Sequence, residues 1–299
     1  HRCQRVSKRC GPRLNVPEPR MTNIRLKLAE LYELEGNSPV PRPGTGDIER
    51  LVRNRYGFLP QPLIVVVEGD EVLLSFPEES AAAQAEAKRL TERAEKRAAE
   101  GHYEKAIGIL KRALELQPSY HGARRDLAMA YVALGDTENA TNHLIEVLRL
   151  DPRDPWSWVV LANLYIRAKH DKPTGEKFLR KALEISPNDP WALNSLAGIA
   201  RGDGRHAEAL QLFRQATTSN PHFANAYFGE AMAHQAGNNP DQALDALERM
   251  FEFGRAQDAR SKPVYEGARQ LFVKLQADLT ERDESEVFKL VQNYRADMA

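Results

Sequence analysis

The chain of 299 residues balances 42 Lys and Arg against 42 Asp and Glu, and 28% of it is charged but only 7% aromatic. The balance removes the electrostatic argument for a nucleic-acid or anionic-membrane partner, and the composition suits half-exposed helices rather than a sheet-rich sandwich. Two cysteines, Cys3 and Cys10, are too few for a disulfide-stapled scaffold, and the longest apolar run, 62–67, is far short of the roughly 20 residues that span a bilayer. A cytoplasmic protein without membrane insertion is expected.

Residues 1–20 carry six Lys or Arg and no hydrophobic centre. They read as a disordered basic tail and not as a secretory signal. Two readings stand for them: they precede a natural start at Met21, or the chain is a fragment of a longer protein. Residues 21–77 read as a small α+β segment. MTNIRLKLAELYELEG predicts an amphipathic helix through Ile24, Leu26, Leu28 and Leu31, NSPVPRPGTG a linker, and DIERLVRNRYG a short helix from Asp47. PLIVVVEGDEVLLSF holds two β-branched runs around Gly69 and Asp70, the pattern of a β-hairpin. A lone hairpin is marginal in water. It either packs inside the chain as a cap or offers a strand edge to a partner or a second copy.

From 87 to 254 the sequence repeats. Helical segments end at Pro118, Pro152, Pro187 and Pro221, with spacings of 34, 35 and 34, and a fifth ends at Gly254. Ala106, Ala140, Ala209 and Ala243 recur in step, as do Ala113, Val147, Ala182, Ala216 and Met250. Small side chains at fixed places let the two helices of a hairpin approach closely, while Leu110, Leu144, Leu179, Phe213 and Leu247 fill the space between hairpins. Each segment follows another helix of about three turns. Gly101, Gly135 and Gly204 mark the reversals, where positive φ ends the first helix, and the third unit carries RAKHDKPTGE, one residue longer. Residues 255–299 show two more amphipathic segments, through Tyr265, Leu271, Phe272 and Leu275 and through Val287, Leu290, Val291 and Tyr294, which read as capping helices.

A 34-residue helix-turn-helix with these alanines, glycines and prolines resembles the tetratricopeptide repeat family, in five copies. Trp158, Leu161, Ala162 and Tyr165 match that family's first helix most fully, and Leu127, Ala128 and Tyr131 match it in part. Arg93 and Arg97 depart from the pattern, so the first leading helix reads as a solvated cap. The resemblance implies a mainly α fold, an α-solenoid of antiparallel helix pairs wound as a right-handed superhelix, with the small α+β segment and its β-hairpin in front.

Nothing in the sequence points to catalysis. The eight histidines include no pair four apart on a helix, nucleophile motifs are missing, and PGTGDIERL lacks the lysine of a phosphate-binding loop. No enzyme, metal or cofactor is expected. The resemblance implies a concave groove lined by the first helices, which would present Arg125, Met129 and Val132, then Trp156, Val159, Val160, Asn163 and Ile166. Trp191, Asn194, Arg201, Phe228, Met232 and Gln235 would follow from the fourth and fifth copies. Thr91, Glu95, Met129 and Val160 stand where some relatives grip a C-terminal carboxylate, so a carboxylate clamp is not expected. An amphipathic or hydrophobic segment of a protein partner is. Trp156 and Trp191 follow prolines at repeat junctions and serve either as junction packing or as ligand anchors. An adaptor is the leading function, with an accessory module of an enzyme or multi-protein machine, or a homo-oligomeric assembly through the hairpin, as the alternatives.

Overall fold

The computed structural model describes residues 21–28, 45–253 and 262–280. The basic tail with Cys3 and Cys10, most of the linker, Gly254 and the second C-terminal segment lie outside the described residues. The chain divides into two compact units, His1–Ala123 and Arg124–Ala299, so the division falls inside the repeat array.

The first unit contains β1 (Met21–Lys27), α1 (Thr45–Arg55), β2 (Ile64–Glu68), β3 (Glu71–Pro77), α2 (Ala81–Ala99) and α3 (Tyr103–Leu116). Over 21–27 the helix expected from the sequence is a strand. Thr22, Ile24 and Leu26 stand opposite Phe76, Leu74 and Val72 of β3, and Leu26, Val72, Leu74 and Phe76 are all buried. Asn23, Arg25 and Lys27 point the other way and are exposed. This alternation is that of a half-buried strand. The sheet therefore has three strands in the order β1-β3-β2, not two, with the hairpin strand β3 in the middle. Gly69, at φ 64°, opens the two-residue turn between β2 and β3, the conformation that a glycine at the first turn position supplies. Helix α1 packs against β2 and buries Ile48 and Val52, and Tyr56 just past its end is buried too. Helices α2 and α3 form the first pair, closed by Ala87 and Ala94 on one side and Ala106, Leu110 and Ala113 on the other.

The second unit runs from α4 (His121–Leu134) through α5 (Thr137–Leu150), α6 (Pro155–Arg167), α7 (Lys172–Ile185), α8 (Pro190–Gly202), α9 (His206–Ser219), α10 (Ala224–Ala236) and α11 (Pro240–Phe253) to α12 (Lys262–Thr280). Twelve helices stand among the described residues, and among them no helix is long and apolar enough to cross a membrane. Successive helices pair as α6 with α7, α8 with α9 and α10 with α11, while α12 packs on α10 and α11. Tyr265, Ala268 and Leu275 of α12 join one buried cluster with Ala231, Leu247 and Met250.

The chain reversals share one geometry. Gly101, Gly135, His170, Gly204 and Asn238 all have positive φ, between 55° and 80°, at spacings of 34, 35, 34 and 34. The amide after the turn then bonds back to a carbonyl of the first helix: His102 to Arg97, Asp136 to Tyr131, Arg205 to Ala200 and Asn239 to His234. This satisfies helix-end carbonyls that would otherwise go unpaired. In the third unit the bond runs from Asp171 to Tyr165, one residue further, which is where the extra residue is absorbed. Asp136, Asp171 and Asp189 cap the helices that follow, each carboxylate accepting a backbone N–H three residues on.

Close approach within pairs is set by the in-step small residues. Ala140, Ala209 and Ala243 are completely buried. The corresponding place on α7 is Gly175, where a β-carbon would come within 2.4 Å of Ile166 Cγ1 and 2.9 Å of the Ala162 carbonyl. At the junctions, the Trp158 indole donates to the Pro152 carbonyl at 2.9 Å and the Tyr227 hydroxyl donates to the Pro221 carbonyl at 3.2 Å. Both rings sit six residues past a repeat proline, so the same anchor recurs.

Candidate partner-binding face

The first helices of successive pairs are neighbours, α6 beside α8 and α8 beside α10. On each, burial follows the helical period. Along α8, Ala192, Leu193, Leu196, Ala197, Ile199 and Ala200 are buried, which leaves Trp191, Asn194, Ser195, Gly198, Arg201 and Gly202 as one accessible stripe. The matching stripes are Arg125, Met129 and Val132 on α4, Trp156, Val160 and Asn163 on α6, and Phe228, Met232 and Gln235 on α10.

Two residues of the sequence-derived set do not belong to these stripes. Val159 is only 4% exposed, because its position on α6 turns it into the helix stack with Trp158 and Leu161. Ile166 lies against Gly175 of the paired helix α7, filling the room that the missing side chain leaves. Phe228 is shared, since its ring also borders Gly267 of α12 and packs on the α10–α12 cluster. The two tryptophans combine both readings. Trp191 meets Phe223 edge to face with centroids 4.7 Å apart, yet remains 45% exposed. Trp156 carries the Arg125 guanidinium 4.4 Å over its ring, and Arg125 also lies 3.9 Å from Asp154, a stacked cation that stiffens this corner of the surface. In the first unit, Thr91 is buried and donates its hydroxyl to the Ala87 carbonyl, while Glu95 is exposed.

Sequence reasoning missed Gly198. It sits in the interior of α8, where glycine costs up to about 1 kcal/mol relative to alanine, yet an added β-carbon would meet nothing within 4 Å. No neighbouring helix requires it. What it does supply is a shallow place in the stripe between Asn194 and Arg201. The Arg201 side chain has no hydrogen-bond or ion-pair partner among the described residues, and its Nε is enclosed.

A second feature also escaped notice. Glu230 stands in step with Leu127, Leu161 and Leu196, at spacings of 34, 35 and 34, and is completely buried. One carboxylate oxygen accepts from Arg214 Nε at 3.1 Å and from Arg249 at 3.3 Å, and the other has no hydrogen-bond partner among the described residues. His234, one helical turn on, has its Nε2 3.9 Å from the same oxygen. Burial holds the His234 imidazole below its ordinary value, the positive charges of Arg214 and Arg249 act in the same direction, and Glu230 and Asp245 oppose them. On α4 and α5, Arg124 is buried in an ion pair with Glu146, and His143 lies 3.3 Å from Glu146 while stacking on Tyr131. Burial alone would raise the Glu146 carboxyl, but the His143 hydrogen bond and the Arg124 charge outweigh it and hold the group low.

Among the described residues no group of three or more His, Cys, Asp or Glu could hold a metal ion. A cavity of about 780 Å³ opens between the α7–α8 turn and α9, but it lies away from the stripes. Its lining of Asn188, Gln211, Arg214, Gln215 and Thr218 is exposed, so it is an open depression rather than an enclosed site.

Tetratricopeptide repeat family models match residues 97–155, 178–211 and 200–262. No curated protein matches. Among solved structures, that of Pseudomonas aeruginosa pilF is 16% identical, with a TM-score of 0.57 over 72% of this chain and 99% of that one. A tetratricopeptide repeat protein from Parabacteroides merdae ATCC 43184 is 19% identical, with a TM-score of 0.53 over 68% and 75% of the two chains. TTC0263, a thermophilic protein of Thermus thermophilus, is 18% identical, with a TM-score of 0.51 over 61% and 98%.

Proposed function

The chain belongs to the tetratricopeptide repeat family, and from that premise we propose that it is a non-catalytic scaffold whose first helices bind an amphipathic or hydrophobic segment of another protein. The observation that carries this is the row of accessible stripes on α4, α6, α8 and α10, which bring Met129, Val160, Trp191 and Met232 to the surface between buried residues of the same helices. Arrays of this kind present extended surfaces that suit a peptide or helix. Met129, Val160 and Met232 supply adaptable apolar contact, and Trp156 and Trp191 supply large anchors already held in place on one side. Gly198 leaves room for a bulky ligand side chain, and Arg201, without a partner among the described residues, offers a cation to a carboxylate or carbonyl beside it. The ligand we infer is therefore mainly apolar with an acidic group at one edge. A cytoplasmic location belongs to the same proposal.

Peptides selected from a random library on the full-length chain test this reading. The expected ligands carry apolar residues at helical spacing. The double variant Val160→Glu and Met232→Glu should bind them at least about tenfold more weakly while keeping the helical circular dichroism and melting curve of the parent. Undiminished affinity in a folded double variant would sink the reading.

A further inference from the structure

We propose that the edge of β2 left unpaired among the described residues pairs with β2 of a second copy of this chain, antiparallel and centred on Val66. The two edges of the sheet differ. The β1 edge exposes Asn23, Arg25 and Lys27, the last two being charges of the kind that protect an edge from further pairing. The β2 edge exposes Ile64 at 47% and Val66 at 38%, and it carries no charge before Glu68.

The hydrogen-bonding parity of β2 follows from its two-residue turn. Glu68 and Glu71 flank the turn and are paired, so the main-chain groups of Glu68, Val66 and Ile64 face β3, and those of Val65 and Val67 face outward. The bond from the Leu28 amide to the Asp70 carbonyl on the far side of β3 obeys the same parity. No described residue bonds to the outward groups of Val65 or Val67, whereas the next outward carbonyl, that of Leu63, is already taken by Arg53 at 2.7 Å.

A two-fold axis at Val66 sets Val65 opposite the partner's Val67, and Val67 opposite the partner's Val65. Both outward residues are then used in narrow hydrogen-bonded pairs, and the two Val66 side chains meet at the closer non-hydrogen-bonded spacing. Ile64 faces the partner's Glu68. Arg53, fixed at the Leu63 end, lies where the partner's acidic Glu68 arrives, so the antiparallel arrangement brings opposite charges together at both ends.

Sedimentation velocity of the full chain is expected to show a dimer that Val66→Lys converts to monomer, because like charges would then face each other across the axis. Arg25→Glu on the other edge should leave the dimer intact. Val66→Cys, with Cys3 and Cys10 changed to serine, should oxidise to a covalent dimer, since residues at that spacing meet disulfide geometry. A monomer at about 100 μM, of the order at which unprotected edges associate, would overturn the proposal. So would a dimer that persists in folded Val66→Lys, or cross-linking through Arg25→Cys in place of Val66→Cys.

Discussion

Two helical glycines show how far a single residue's environment decides its role. At Gly175 the β-carbon position is already filled by Ile166 and the Ala162 carbonyl. Gly175→Ala is expected to cost about 1–3 kcal/mol, as overpacking does when backbone stands in the way. Gly198 has nothing within 4 Å of the same position, so Gly198→Ala should stabilise by about 0.5–1 kcal/mol. Denaturant titration of the two variants reads both signs. Neither answer is in the residue type. The sequence marks α7 as the copy without an in-step alanine, but only the packing of Ile166 explains it, and this is also why Ile166 leaves the candidate face. The left-handed His170 and Asn238 are similar, because spacing marks their places while residue type alone would have chosen glycine.

At the level of elements, β1 and α10 illustrate opposite limits of local reading. Thr22, Ile24, Leu26 and Leu28 alternate strictly, which is the strand period, yet Leu31 and the Lys-Leu-Ala-Glu run also fit a helix. Pairing with Val72, Leu74 and Phe76, some fifty residues away, decides between them, and no local window contains it. In α10 the information was present. Glu230 falls in a column that holds Leu127, Leu161 and Leu196 in the three copies before it and an exposed Arg93 only in the first, and its burial follows that of the leucines. Arg214 keeps much of its surface exposed and Arg249 retains Asp245 at 3.2 Å, so Glu230→Leu is expected to destabilise by less than the ~3–5 kcal/mol that removing one partner of a fully buried pair costs, seen as a modest fall in melting temperature.

His234 gives the same helix a pH dependence. Its folded pKa lies below the ordinary 6.5, so in the acid range the unfolded chain binds a proton that the folded chain resists. Stability should hold above pH 6.5 and fall as the pH drops below it towards the folded pKa. The fall in melting temperature between pH 7.5 and 5.5, a window on either side of the ordinary histidine pKa of about 6.5, should shrink in His234→Phe. An equal fall in both proteins would remove His234 as its source.

For the whole molecule, the repeat was legible because each in-step position meets the same kind of neighbour in every copy. Prolines, small residues and turn glycines therefore recur at 34 or 35 residues, and family models and solved structures agree on the fold. The accessible stripes of the first helices were legible in outline from the same register. Their composition was not, since Val159 and Ile166 turn into the stack and Gly198 carries no side chain to notice. Hydrogen–deuterium exchange of the full chain with and without a selected peptide tests the scaffold account most directly. Protection concentrated in α4, α6, α8 and α10 is the predicted result, with the outward surfaces of α5, α7, α9 and α11 unchanged. Protection confined to those second helices, or to the sheet of the first unit, would contradict it.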